Sequence, residues 1–125
     1  MQKITMKISI VILIALTCMP HSLAAEMILF EQKACPWCER WEEEIGHIYN
    51  DTNEGKQAPV RRVDIHQPLP LDLIWLKTGV FTPTFVVIDN NKEIGRIRGY
   101  PGDSFFWGLL SRILLKIPKI DNKDG

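Results

Sequence analysis

The sequence predicts an α/β domain of four strands and three helices, and three observations carry that prediction. A short apolar run leads into Cys35-Pro36-Trp37-Cys38, where helical periodicity begins. Two later runs of strand character face each other across Asp89-Asn90-Asn91-Lys92, and a helical stripe of apolar residues follows them. The order is strand, helix, strand, short helix, strand, strand, helix.

Met27 to Glu31 is the first strand, short and apolar. It runs into a helix from Pro36 to about Asn50, with Trp41, Ile45, Ile48 and Tyr49 at helical spacing. Pro36 suits the first helical position, where a missing N–H costs nothing. Asn50 to Pro59 reads as a polar connection, and Val60 to Ile65 as the second strand. A short helix around Leu71 to Lys77 ends at Gly79. Phe85 to Ile88 and Glu93 to Ile97 form a hairpin, because Asn tolerates the positive φ that tight hairpin turns require. The last helix, from about Asp103 to Ile117, places Phe106, Leu109, Leu110, Ile113, Leu114 and Ile117 on one stripe before Pro118 stops it.

The N-terminus reads as an export address. Lys3 and Lys7 form a basic start, Ile8 to Met19 is an apolar run too short for a normal membrane span, and Ser22-Leu23-Ala24 supplies small residues for a signal peptidase. Residues 1–24 are therefore read as a signal peptide, 25–120 as one domain and 121–125 as a disordered tail. The other readings are a lipoprotein signal ending at Cys18, which Thr17 and Ala15 fit poorly, and an uncleaved anchor. Residues 25–125 carry 13 basic and 15 acidic side chains, a net charge near −2 with neutral histidines. That balance gives no footing for nucleic acid. One small core is all that such a length supports.

Removing residues 1–24 also removes Cys18, so Cys35 and Cys38 are the two cysteines left. A bridge between them closes so short a ring that loop entropy is worth only about 2 kcal/mol, against about 3 for a 15-residue loop. Stability is a poor reason for such a pair. The spacing lets the first sulfur attack a partner's disulfide and the second displace it. A sulfur capping a helix sits near unpaired N–H groups at the positive end of the dipole, which favours the thiolate. A fall in pKa from about 8.5 to about 6.5 would raise the thiolate fraction at neutral pH from about 3% to about 75%. Lys33 assists this and Glu31 and Glu39 oppose it, so the direction follows and the amount does not. Cys38, one turn in, is expected to be the more buried and to act as the resolving thiol.

This order, with Thr82-Pro83 before the third strand, resembles the thioredoxin fold, a central mixed sheet of about four strands flanked by three helices. The likeness spans nearly all of residues 25–120. The strings at 35–41 (Cys-Pro-Trp-Cys-Glu-Arg-Trp), 81–87 (Phe-Thr-Pro-Thr-Phe-Val-Val), 99–103 (Gly-Tyr-Pro-Gly-Asp) and 105–110 (Phe-Phe-Trp-Gly-Leu-Leu) are similar to small exported thioredoxins of the SoxS type. That family is associated with sulfur-compound oxidation and with keeping periplasmic partners reduced. The resemblance implies a monomeric periplasmic thiol–disulfide oxidoreductase without a cofactor. It also implies partners with reactive cysteines or disulfides, among them a sulfur-oxidation carrier, and a membrane electron donor of the DsbD or CcdA kind.

The resemblance further implies that Pro83 is the cis-proline packed against the cysteines, and that Thr82 offers its backbone to an extended substrate segment. Pro36 and Trp37 complete the active-site loop, Trp37 either contacting partners or tuning the turn. One departure stands out. Thioredoxins usually carry a buried aspartate six residues before the first cysteine, and Leu29 occupies that position. Glu31 would have to point inward to replace it, whereas a glutamate at a strand end is ordinarily solvated.

Other residues read more plainly. Trp41 and Trp75 belong to the core, Phe105 and Trp107 lie off the last helix's stripe, and His47 and His66 are surface or capping histidines. Glu42, Glu43 and Glu44 form a solvated face, with Arg40 and Glu44 at a supportive spacing. The rival readings are a copper(I)- or zinc-binding module using the same two cysteines, and a glutaredoxin- or DsbA-like oxidant. Zinc would need further ligands, for which only His47 and His66 stand ready. The large helical insertion of DsbA has no counterpart here.

Overall fold

The computed structural model describes residues 24–118. The expected signal segment 1–24, save Ala24, and the tail 121–125 lie outside them. Four strands, β1 (Glu26–Glu31), β2 (Val60–Asp64), β3 (Thr84–Asp89) and β4 (Lys92–Arg98), form one sheet in the order β2-β1-β3-β4. β1 pairs parallel with β2 and antiparallel with β3, and β3 pairs antiparallel with β4. The sheet is therefore mixed, as a thioredoxin-like fold requires.

The central strands read as unbroken apolar runs because both faces of the sheet are covered. Met27, Leu29, Phe85 and Val87 point to one face, where they meet Trp41, Ile45, Tyr49, Phe106, Leu110, Ile113 and Leu114 from the helices. Ile28, Phe30, Val63, Val86 and Ile88 point to the other, covered by Leu73 and Leu76 of the β2–β3 connection. The alternation follows from the two-residue period of a strand.

Helix α1 starts as an α-helix over Pro36–Trp41, widens to a π-helix over Glu42–Gly46 and closes as an α-helix over His47–Tyr49. The wider turn advances the buried stripe by four residues at a time, through Trp41, Ile45 and Tyr49. Ile48, expected inside, is consequently exposed. Gly46 is fitted to this turn, since a Cβ there would lie 2.7 Å from the Trp41 ring.

The polar connection contains an unexpected helix, α2 (Asn53–Gln57), capped by Thr52, whose hydroxyl accepts from the Gly55 N–H at 3.0 Å. The helix expected at 71–77 is instead a single 3₁₀ turn, Leu71–Leu73. Trp75 is thereby displaced from the core to a position 41% exposed, its Nε1 donating to the Asp72 carbonyl at 2.8 Å.

Asn90 and Asn91 both adopt the positive φ expected of the hairpin turn, at 50° and 59°. Helix α3 (Asp103–Leu114) buries Phe106, Leu110, Ile113 and Leu114, while Leu109 lies at the edge of the stripe and is exposed. Trp107 stacks on Tyr49 with ring centroids 6.1 Å apart, completing the packing, and Phe105 faces outward.

Candidate active site

The chain turns from β1 into α1 through Ala34, whose φ of 56° is left-handed, and Cys35 then takes the extended backbone of an N-cap. Its Sγ accepts a hydrogen bond from the Cys38 N–H at 3.2 Å, the role a serine or aspartate usually fills. Pro36 opens the helix, and Cys35 and Cys38 are joined in a disulfide with their Cα atoms 5.3 Å apart.

Thr82 and Pro83 lie over the first cysteine. The Thr82–Pro83 peptide is cis and Pro83 is buried. The Thr82 hydroxyl donates to Cys35 Sγ at 3.3 Å, and its carbonyl oxygen lies 3.5 Å from the same sulfur. This cover reverses an expectation about burial: Cys35 is only 6% exposed, whereas Cys38 is half-buried. Helix position alone would hide the second cysteine, but the loop of 82–83 hides the first.

Two shallow pockets flank the disulfide. One, of about 220 Å³, is lined by Trp37, Thr82, Arg98, Gly99, Tyr100 and Pro101. Trp37 is 54% exposed at its rim, with the Arg40 guanidinium 5.6 Å from its ring centroid. The other, of about 420 Å³, brings Glu31, Glu42, Arg62 and Asp64 beside Cys38. There Arg62 pairs with Glu31 at 3.0 Å and with Glu42. Glu31 therefore reaches the site as half of a surface ion pair, and the buried position of Leu29 holds no acid.

Behind the Trp37 pocket, Tyr100 donates to Glu44, which also receives Arg40 Nε at 2.8 Å. The hydrogen bond from Tyr100, and after it that from Arg40, holds the Glu44 carboxyl below its ordinary range. Burial first, and the bonded Glu44 next, push the Tyr100 hydroxyl up.

His47 and His66 do not gather at the sulfurs to complete a metal site. His47 Nδ1 lies 3.2 Å from the Glu42 carbonyl. His66 Nε2 lies 2.9 Å from Gln32 Oε1, and Gln32 Nε2 donates to Thr82 Oγ1 at 2.7 Å. Among the described residues no cluster of three or more His, Cys, Asp or Glu could hold a metal ion. Gln32 and Arg62 carry no local motif in the sequence, whereas Tyr100 lies within the string at 99–103; the sheet and the loops bring all three to the site.

No family model matches the chain, and no curated protein matches it significantly. Solved structures do. The chain is similar to the periplasmic thioredoxin SoxS from Paracoccus pantotrophus, with 41% identity over 74% of this chain and 97% of that one, at a TM-score of 0.68. A thioredoxin from Thermus thermophilus shares 21% identity over 74% and 75% of the two chains, with a TM-score of 0.61. The Malassezia sympodialis thioredoxin Mala s 13 likewise shares 21% identity over 74% and 80%, with a TM-score of 0.58. The last two speak to the fold alone.

Proposed function

The chain belongs to the thioredoxin superfamily, and on that premise we propose that it is a monomeric periplasmic reductant of partner proteins. Its chemistry is that of a thiol–disulfide oxidoreductase. The observation that carries the reading is the setting of Cys35 Sγ, at a helix N-cap with donors from the Cys38 N–H and the Thr82 hydroxyl. Both donors favour a negative sulfur over a protonated one.

Starting from the dithiol, the Cys35 thiolate attacks one sulfur of a partner's disulfide. An S–S bond forms as the partner's S–S bond breaks, and the departing partner thiolate takes a proton. The Cys38 thiolate then attacks the Cys35 sulfur, releasing the partner's second thiol. Two electrons have passed to the partner, and the product is the Cys35–Cys38 disulfide present here.

The likeness to a periplasmic thioredoxin SoxS supports the periplasmic location and, by analogy, a sulfur-carrier protein with a reactive cysteine among the partners. An exported reductant needs its electrons from across the membrane, so the proposal includes a donor of the DsbD or CcdA kind. The purified protein should reduce insulin with dithiothreitol as electron source, and Cys35→Ser should abolish this. A Cys38→Ser variant should accumulate mixed disulfides with exported proteins. In a redox-buffer series, the couple should lie nearer thioredoxin's potential, about −270 mV, than DsbA's, about −120 mV. A value near the second would make the protein an oxidant.

A further inference from the structure

We propose that Gln32 is a positioning residue for the reactive sulfur, directing the Thr82 hydroxyl hydrogen onto Cys35, with His66 holding the Gln32 amide in the orientation that does so. This rests on Cys35 being the nucleophile.

Three strand ends assemble the chain of contacts. Gln32 follows β1, His66 lies just past β2, and Thr82 comes two residues before β3. The bond from the Ile65 N–H to the Glu31 carbonyl at 3.0 Å extends the β1–β2 ladder past Asp64, and Phe30 stands opposite Thr84. His66 is anchored by its own N–H, which donates to Asp64 Oδ1 at 2.8 Å. Sheet order thus joins residues 32, 66 and 82 at one corner of the site.

The chemistry of each group fixes the polarity. A hydroxyl has one hydrogen to give and two lone pairs to receive with. Gln32 Nε2 can only donate, so its 2.7 Å contact occupies a lone pair of Thr82 Oγ1. The single hydroxyl hydrogen is left for Cys35 Sγ, 3.3 Å away. With the amide reversed, Gln32 Oε1 would face Thr82 and take that hydrogen from the sulfur. The NH₂ group would then confront His66 Nε2 at 2.9 Å, a clash of donors whenever that nitrogen carries a proton. His66 protonated at Nε2 therefore excludes the reversed amide.

The polarity matters because the sulfur also faces an acceptor. The Thr82 carbonyl, 3.5 Å from Sγ, suits an S–H and stabilises the thiol, whereas the Thr82 hydroxyl hydrogen stabilises the thiolate. Bonds in such a chain polarise one another, so a donor behind Thr82 strengthens the bond in front of it. Glu31, Lys33, Glu39, Glu42, Arg62 and Asp64 also line the neighbouring pocket and act on the sulfurs through charge. A neutral replacement of Gln32 leaves all of those charges in place.

The test follows iodoacetamide alkylation of Cys35 against pH in the reduced full chain, read by mass spectrometry of the Cys35 peptide. Thr82→Val should slow the reaction about tenfold at about pH 6, the scale of a lost charge-assisted hydrogen bond, without lowering the high-pH plateau. Thr82→Ser should restore the wild-type profile. Gln32→Leu should slow it about three- to fivefold, and His66→Leu should act in the same direction but less. Adding Gln32→Leu to Thr82→Val should change nothing further, because Gln32 acts through the hydroxyl. Gln32→Met serves in place of Gln32→Leu should the latter not fold. A wild-type profile in the Gln32 variant overturns the proposal, as does an undiminished Gln32 effect without the hydroxyl. Alkylation reads the thiolate directly, so failure of the insulin assay would leave this result separately interpretable.

Discussion

Tyr100 donates its hydroxyl hydrogen to Glu44, tying the loop before α3 to the π-helical part of α1. The other Glu44 oxygen receives Arg40, whose guanidinium lies over Trp37. A single carboxylate thus links a core tyrosine to the exposed rim of the disulfide.

Because its partners hold the Glu44 carboxyl below the ordinary carboxylate range, the unfolded chain binds that proton more readily than the folded one. The stabilisation is present above the unfolded value, about 4.3, and is lost as pH falls through the folded value. Tyr100→Phe keeps the buried ring and removes the first cause of the shift. The variant should be less stable than wild type in urea at neutral pH and should converge with it at about pH 2. Parallel stability curves across that range would show that the bond contributes nothing.

Two glycine substitutions should act with opposite signs. At Gly55 a Cβ would lie 1.8 Å from the Tyr49 carbonyl oxygen, which also receives the Thr52 N–H and hydroxyl. Backbone would have to move, so Gly55→Ala should cost about 2–3 kcal/mol. At Gly108, inside α3, an added Cβ meets nothing within 4 Å. Gly108→Ala should stabilise by about 0.5–1 kcal/mol, the usual helix-interior difference. Urea midpoints with unchanged slopes check both.

Features specified by neighbouring residues were legible in the sequence. The Cys35 cap with Pro36 behind it is one, and the paired positive-φ asparagines between β3 and β4 are another. Features set by competition between local and distant contacts were not. Thr52 and Gly55 look like loop residues, yet the Thr52 hydroxyl caps a helix by accepting from the Gly55 N–H while it donates to the Tyr49 carbonyl. The π turn at Glu42–Gly46 keeps the expected Trp41, Ile45 and Tyr49 in the buried stripe but leaves Ile48 outside it. Gln32, His66 and Thr82 have no sequence signal in common, because only the strand order brings them together.

Leu29 is 1% exposed in the apolar cluster with Trp41, Ile45 and Phe85. Leu29→Asp should cost about 3 kcal/mol or more at neutral pH, from lost apolar contact and the burial of a carboxyl. Burial would raise that carboxyl's pKa in the fold, so the native state would hold the proton longer than the unfolded one. The penalty should therefore grow as pH rises from about 4 towards the raised value. A pH-independent penalty in urea titrations would mean that the new carboxyl reaches water.

Trp37 projects from the first turn of α1 at the rim of the pocket formed with Thr82, Arg98 and Tyr100, and Arg40 braces one side of its ring. It forms no hydrogen bond with either sulfur among those described, so its contribution to the exchange step should be small. A protein substrate laid along Thr82 would cross the ring, whereas a small aromatic disulfide needs only the sulfur. Trp37→Ala should therefore lower the rate of insulin reduction about three- to tenfold, the range of a modest contact residue. Turnover of the small disulfide should stay within about twofold. Equal losses on both substrates would place Trp37 in the chemistry of the Cys35–Cys38 turn and remove it from docking.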